Sequence, residues 1–257
     1  MQIGMDLVVV NYKTPGDLEE FCRSYQEYPA SIPTNLVIVN QDPEDADHEV
    51  GAAYADVHLP QANNYYSGAA NVGAAHGDSE IIGILNADTR LLSGTLDIVY
   101  GQMMANDDWG VAGPLQYDDR GKVTHGGIFG SLQQPEHRGW HKPIAKRLRE
   151  NEEAVTVSGS AYFIKRSVWD ELTNCEVYRD LYPDVKGAFL PTTHYYEETW
   201  CSYHTQAHGY KVVYLGEAEM IHKWHQATPI GGWHDRQMPE SRKMFREMCD
   251  HHGIPRD

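Results

Sequence analysis

Apolar and polar positions fall into two alternating textures over the first 108 residues. "MDLVVVN" (Met5 to Asn11) and "NLVIVN" (Asn35 to Asn40) are continuous β-rich apolar runs, the pattern of strands buried on both faces. Between them "TPGDLEEFCRSYQEY" predicts a helix. Thr14 can cap it, Pro15 suits its first turn, and Leu18, Phe21, Cys22 and Tyr25 share one face. "PEDADHEVGAAYA" reads as a short helix and "DVHLP" as a third strand. "NNYYSGAANVGAAHGDSE" reads as a helix entered from a turn. Its only large aliphatic residue is Val72, so its backbone can approach another element, or a ligand, closely. "IIGIL" is a fourth strand. "GTLDIVYGQMMAND" is a helix with Leu96, Val99, Tyr100 and Met103 on one face. Strands alternating with helices predict an α/β fold with a mostly parallel central sheet.

The texture changes near residue 109. "WGVAGPLQYDDRGKVTHGGIFG" has short β-like runs around a "DDRG" turn. "AVTVSGSAYFIKRSVWDEL" predicts strand, Gly-rich turn, strand, helix. "HYYEETWCSYHTQAHGYKVVYL" predicts an acidic helix start, a stop at Gly209 and a strand. "PESRKMFREMCDHHG" has the spacing of a capping helix. With no repeat and no low-complexity linker, residues 1–257 read as one domain. It divides into a nucleotide-binding-type half (1–108), a mixed half (109–230) and a helical cap (231–257).

Composition narrows the function classes. The net charge of −16 repels phosphate backbones and argues against nucleic acid as a partner. The basic stretch "KPIAKRLRE" is a solvated surface or a contact for an anionic substrate. No run of eighteen apolar residues exists, so no transmembrane segment is expected. "MQIGMDLVVVNYKTP" reads as a first strand rather than a signal peptide. Cys22, Cys175, Cys201 and Cys249 are widely spaced with no C-x-x-C. Free thiols in a reducing, cytoplasmic compartment are the expectation.

The candidate chemistry starts where "IIGIL" runs into Asn86-Ala87-Asp88. Ligands of parallel sheets gather at the carboxyl ends of strands. An aspartate there could hold a hard divalent cation and through it a phosphate; a turn or helix cap would use the same residue types.

Several blocks together resemble family 2 glycosyltransferases of the GT-A fold, especially the rhamnosyltransferase-like branch. "VVVNYKTPGDLEEFCRSY" is similar to that group's opening. "NNYYSGAANVGAAHGDSEIIGILNADTRL" resembles its N-x-G segment followed by its "L-N-P-D" version of the DxD motif. "GKVTHGG" and "VSGSAYFIKRSVWDEL" look like the next two blocks, and "HYYEETWCSYHTQAHGYKVVYLGEAEMIH" like its "Y-F-E-D-x-D-L-C" block and the histidine beyond. The resemblance spans roughly residues 5 to 225, in order. It implies an inverting, metal-dependent hexosyltransferase-type enzyme. The partners would be a nucleotide-diphosphate sugar donor and a carbohydrate or other hydroxyl acceptor.

By resemblance Asp88 binds Mn²⁺ or Mg²⁺, with His222, or His225 in its place, completing the metal site. Asn86 contacts the ribose or a metal-bound water. Glu198 is the general base beside Glu197, standing where the family carries aspartate. Trp200 replaces a second acid and lines the acceptor site or belongs to the core. Asn11 and Tyr12 flank the nucleotide base. Asn40 stands where the family has a base-reading aspartate, with Asp42 as the substitute. Gly68 and Asn71 lie near the donor, Asn71 bonding either a backbone or the donor. Gly159 and Ser160 lie beside the acceptor, or form a tight turn. Tyr65, Tyr66, Trp140, Trp224 and Trp233 are stacking surfaces for sugars or packing residues. Arg242 or Lys243 could close over a diphosphate. Two other classes stay open: a sugar-phosphate nucleotidyltransferase and a non-catalytic nucleotide-sugar-binding protein.

Overall fold

β1 (Gln2–Asn11) runs through the middle of the molecule with its last eight residues buried. A computed structural model describes residues 1–42, 47–131, 134–224 and 233–255. The elements after β1 follow the alternation: α1 (Pro15–Glu27), β2 (Thr34–Asn40), α2 (Asp47–Tyr54), β3 (Val57–Pro60), α3 (Tyr65–Ala74) and β4 (Ser79–Asn86). All four strands are parallel, in the order β3-β2-β1-β4.

The pleat of β1 explains the two layers. Met5, Leu7 and Val9 face a core shared with Leu18, Phe21 and Cys22 of α1. Leu96, Val99 and Met103 of α4 (Thr95–Ala105) complete that side. Val8 and Val10 point the other way, onto Ala69, Ala70 and Ala74 of α3. The small residues of α3 serve this packing. A Cβ on Gly73 would lie 2.2 Å from Cγ1 of Val8, so the helix backbone sits closer to the sheet than any side chain there would allow.

The second half extends the same sheet. After β5 (Thr89–Leu91) and α4, its elements are β6 (Trp109–Tyr117), β7 (Val123–His125), β8 (Ile128–Gly130), β9 (Pro135–His137), β10 (Glu152–Glu153), β11 (Ala161–Lys165), α5 (Arg166–Thr173), α6 (Glu176–Leu181), α7 (Glu197–Ala207), β12 (Lys211–His222) and α8 (Trp233–His252). β11 enters antiparallel between β4 and β6, and β12 lies parallel beyond β6. The strand expected at "AVTV" does not form as such. The NH of Ala154 bonds β12 while that of Val155 bonds β8. The segment therefore crosses between two strands and pairs along neither, although Ala154 and Val157 are buried.

Arg166, buried at the start of α5, ties the halves together. Its guanidinium donates to the backbone of Ser79 and Ala74 and pairs with Asp6 at 2.8 Å. Among the described residues, no helix is long and apolar enough to cross a membrane.

Candidate active site

A cleft of about 810 Å³ lies beyond the carboxyl ends of β1, β2 and β4. Asp88 sits in the turn between β4 and β5. Three-residue β5 pairs antiparallel with the end of β12, setting Thr89 opposite His222, and the NH of Lys223 donates to the Asp88 carbonyl at 3.0 Å. This short ladder brings His222 Nε2 to 3.4 Å from Asp88 Oδ1. Both residues are buried to about nine-tenths.

The pair fits a divalent cation. Two donors bound to one ion at about 2.1 Å each stand roughly 3 Å apart, close to the separation here. His222 Nδ1 is buried and, among the described residues, without a hydrogen-bond partner. One carboxylate with one imidazole is a borderline donor set that suits Mn²⁺. The cleft's charge points the same way. Asp88, Glu197 and Glu198 all line it, and among the described lining residues Arg242 is the sole lysine or arginine.

Glu197 and Glu198 open α7. Tyr195 and Tyr196 before them hold positive φ angles of 64° and 71°, turning the chain sharply so that the helix start faces the cleft. Thr192 donates to Glu197 at 2.9 Å. Burial pushes the Glu197 carboxyl up to about 8, with the charge of Glu198 adding to the effect. Burial also raises Glu198, against hydrogen bonds from its own and the Thr199 backbone and side chain. Gly159 lies against Glu198: a Cβ there would meet its Cγ at 3.5 Å.

The cleft brings together Tyr12, Asn86, Asp88, Gly159, Ser160, Glu197, Glu198 and His222 from the sequence-derived set. The Asn86 NH donates to the Ser160 carbonyl at 3.0 Å, and Ser160 Oγ donates to Gln116 at 2.6 Å. Gly159 and Ser160 thus belong both to a tight turn and to the cleft wall. Asn11, Asn40, Asp42, Gly68, Asn71, Trp200 and Lys243 do not appear among the described lining residues. Asn11 and Asn40 are buried and bonded to each other at 3.3 Å. Asp42 pairs with Lys13 at 3.0 Å. Gly68 packs under the Asn64 side chain. Asn71 bonds the backbone: its amide donates to the Phe189 carbonyl at 2.9 Å and accepts from the Phe189 NH at 3.0 Å. Trp200 is fully buried against Tyr178 and His204. His225 and the side chain of Trp233 fall outside the described residues.

Aromatic residues build one rim. Trp140 meets Trp224 edge-on at 5.8 Å and His137 at 4.7 Å, all three in the cleft wall. Tyr66 donates its hydroxyl to the Gly159 carbonyl, and burial followed by the charges of Glu197, Glu198 and Asp88 holds that hydroxyl protonated. Among the described residues six non-glycines have positive φ, and four of them, Tyr65, Tyr195, Tyr196 and Trp224, line the cleft, where backbone strain often accompanies function.

Gln41 and His125 are among the lining residues that the sequence reading missed. Gln41 is buried with its carbonyl accepting from the Asn64 NH at 3.1 Å; it lies one position from Asn40, so strand parity decides which amide faces the cleft. His125 accepts from the Ser158 NH at 3.3 Å. Burial first, then His137, His222 and Arg138, lower it to about 3, so it is a neutral acceptor. Its signal was the "THGG" block, read then only as a block.

No protein-family model matches this chain, and no curated protein matches it in sequence. Solved structures do match in fold. GalNAc-T7, crystallised with UDP, GalNAc and Mn²⁺, superposes with a TM-score of 0.65 at 14% identity, over 98% of this chain and 55% of that one. The mannosyltransferase PcManGT from Pyrobaculum calidifontis, in complex with GDP-Man and Mn²⁺, gives 0.61 at 13% identity, over 96% and 64%. S. aureus TarS 1-349 gives 0.61 at 10% identity, over 96% and 65%. The present chain spans just over half to about two thirds of their lengths. Its α/β architecture, with a mostly parallel central sheet, is the GT-A glycosyltransferase fold.

Proposed function

We propose that this protein is a glycosyltransferase that moves a sugar from a nucleotide-diphosphate donor to a hydroxyl acceptor, inverting the anomeric carbon. The observation that carries the reading is the meeting of a carboxylate–imidazole pair and a buried glutamate pair in one cleft of a GT-A fold. A cleft with three carboxylates and one described arginine repels a diphosphate on its own. Asp88 and His222 would hold the Mn²⁺ or Mg²⁺ that offsets this repulsion and supplies positive charge against the leaving group. GalNAc-T7 and PcManGT, each crystallised with a nucleotide or nucleotide sugar and Mn²⁺, support the same reading. The order of motifs between residues 5 and 225 supports a family 2, rhamnosyltransferase-like enzyme in particular.

The rest is done by side chains of this chain. Glu198 takes the acceptor hydroxyl proton as that oxygen attacks the anomeric carbon. The bond to the diphosphate breaks from the opposite side, and its electrons leave with the diphosphate. Burial makes Glu198 a stronger base than a solvated carboxylate, at the cost of charging it only at higher pH. Tyr12, Gln41 and Asn86 present a ring and two amides to the nucleotide. The Trp140–Trp224 rim offers faces on which acceptor sugar rings can stack.

A panel of nucleotide sugars, screened with Mn²⁺ by thermal shift and then for nucleoside diphosphate release, tests the proposal. Asp88→Ala is expected to lose both metal-dependent nucleotide binding and transfer. Glu198→Gln should keep the binding while transfer falls about 10²–10⁴-fold. Wild-type turnover by Glu198→Gln would remove the base from its role. Release of pyrophosphate would make the protein a nucleotidyltransferase instead.

A further inference from the structure

A second cluster of metal-ligating side chains lies where α6, α7 and α8 pack together. Cys175 immediately precedes α6, His204 lies within α7, and His252 ends α8. The Cys175 sulfur and one ring nitrogen of each histidine all lie within 4.8 Å of one another. None of the three lines the cleft, and Cys175 is a free thiol.

His204 is the second, independent observation. It is fully buried, yet among the described residues neither of its ring nitrogens has a hydrogen-bond partner, and Nε2 of His252 has none either. A buried polar atom left unpaired costs about 1–3 kcal/mol, so unpaired nitrogens on two neighbouring histidines call for a missing partner. Burial, then His252 and His208, keep His204 low, at about 3, in the neutral form that donates a lone pair to a metal. Trp200 covers the ring at 4.6 Å between centroids, and Cys175 and His252 are only partly buried, which leaves a path of entry.

We propose that Cys175, His204 and His252 bind one zinc ion that fastens the C-terminal helix α8 to α6 and α7. One thiolate with two imidazoles is a zinc donor set, and the cluster contains no carboxylate to suit a harder ion. In tetrahedral zinc, bond lengths near 2.0 and 2.3 Å put ligand atoms roughly 3.5 Å apart, so atoms already within 4.8 Å of one another need only a small contraction on binding. Cys175 releases its thiol proton to solvent and the imidazoles bind without proton loss. The fourth position goes to solvent or to His208. The His208 ring lies 4.8 Å from that of His204, and its Nδ1 is held by Glu171 at 2.7 Å, an arrangement that leaves Nε2 for a metal. The same helix α8 contributes Met238 and Arg242 to the cleft wall, so the ion would fix where that wall stands.

The test uses the full-length Asp88→Ala protein, which lacks the cleft carboxylate, stripped with a chelator and refilled with Zn²⁺ alone or Co²⁺ alone. One equivalent of Zn²⁺ is expected to bind and raise the Tm. Co²⁺ should give a thiolate-to-metal charge-transfer band. Cys175→Ser and His252→Gln in the same background should lose the band and the Tm rise, with the far-ultraviolet circular dichroism unchanged. If Asp88→Ala does not fold, the band is read in the wild-type background, where the cleft pair has no sulfur and contributes none. Absence of the band, or the same band in Cys175→Ser, overturns the proposal.

Discussion

Glu197 and Glu198 are adjacent acids in a place that water reaches poorly, and the charge of Glu198 makes Glu197 harder still to ionise. Between the ordinary carboxylate range and about pH 8 the folded protein holds protons that the unfolded chain has already lost. Their contribution to stability therefore falls as pH rises through that window. Wild-type Tm should drop between about pH 5 and pH 8, and Glu197→Gln should flatten that slope. Glu198 ionises first, while Glu197 still holds its proton, so the same substitution should leave the acidic limb of kcat/KM in place; a limb moved to lower pH would show that Glu197 is charged there. Asn71 makes a different kind of residue-scale statement. Its side chain satisfies both backbone groups of Phe189, so Asn71→Ala should cost about 1–3 kcal/mol in urea unfolding. The sequence pointed to Asp88 because a buried strand ending in a carboxylate is legible locally. Asn71 and Trp200 were harder because their partners, Phe189 and Tyr178, come from remote segments with no local signature.

Elements carry the site by their closeness. Gly73 lets α3 lie on β1, and any added atom meets Val8 and Val39. Gly73→Val should destabilise the fold by about 1–3 kcal/mol through overpacking, seen as a lower urea midpoint with an unchanged m-value. The alternating strands and helices of the first half were readable because each apolar run matched a single periodicity. "AVTV" was misread because its apolar residues are buried as a strand's would be while its NH groups bond two different strands. Burial leaves a mark in sequence; the choice of hydrogen-bond partner does not. α6 and β5 are too short to generate a period at all.

At the scale of the whole molecule, charge would govern how the proposed donor arrives. The chain carries −16 and its cleft is acidic. With a chelator present, affinity for a nucleoside diphosphate should drop. The residual binding should strengthen as NaCl is raised, because salt screens repulsion. A basic phosphate pocket would give the opposite slope, so a salt titration by calorimetry separates the two. The overall fold was legible from the order of elements and motifs. The shape of the cleft was not, since residues from both halves of the chain build it.

The β5–β12 ladder also sets a schedule. Asp88 and His222 stand about half the chain apart, and only the pairing of two strand ends joins them. A ribosome has to deliver β12 before this contact can exist, and non-local pairing of this kind is slow to form. The first half can collapse around β1 while its aspartate still faces open solvent. The Asp88–His222 pair therefore forms last, when the final strand of the sheet is laid down.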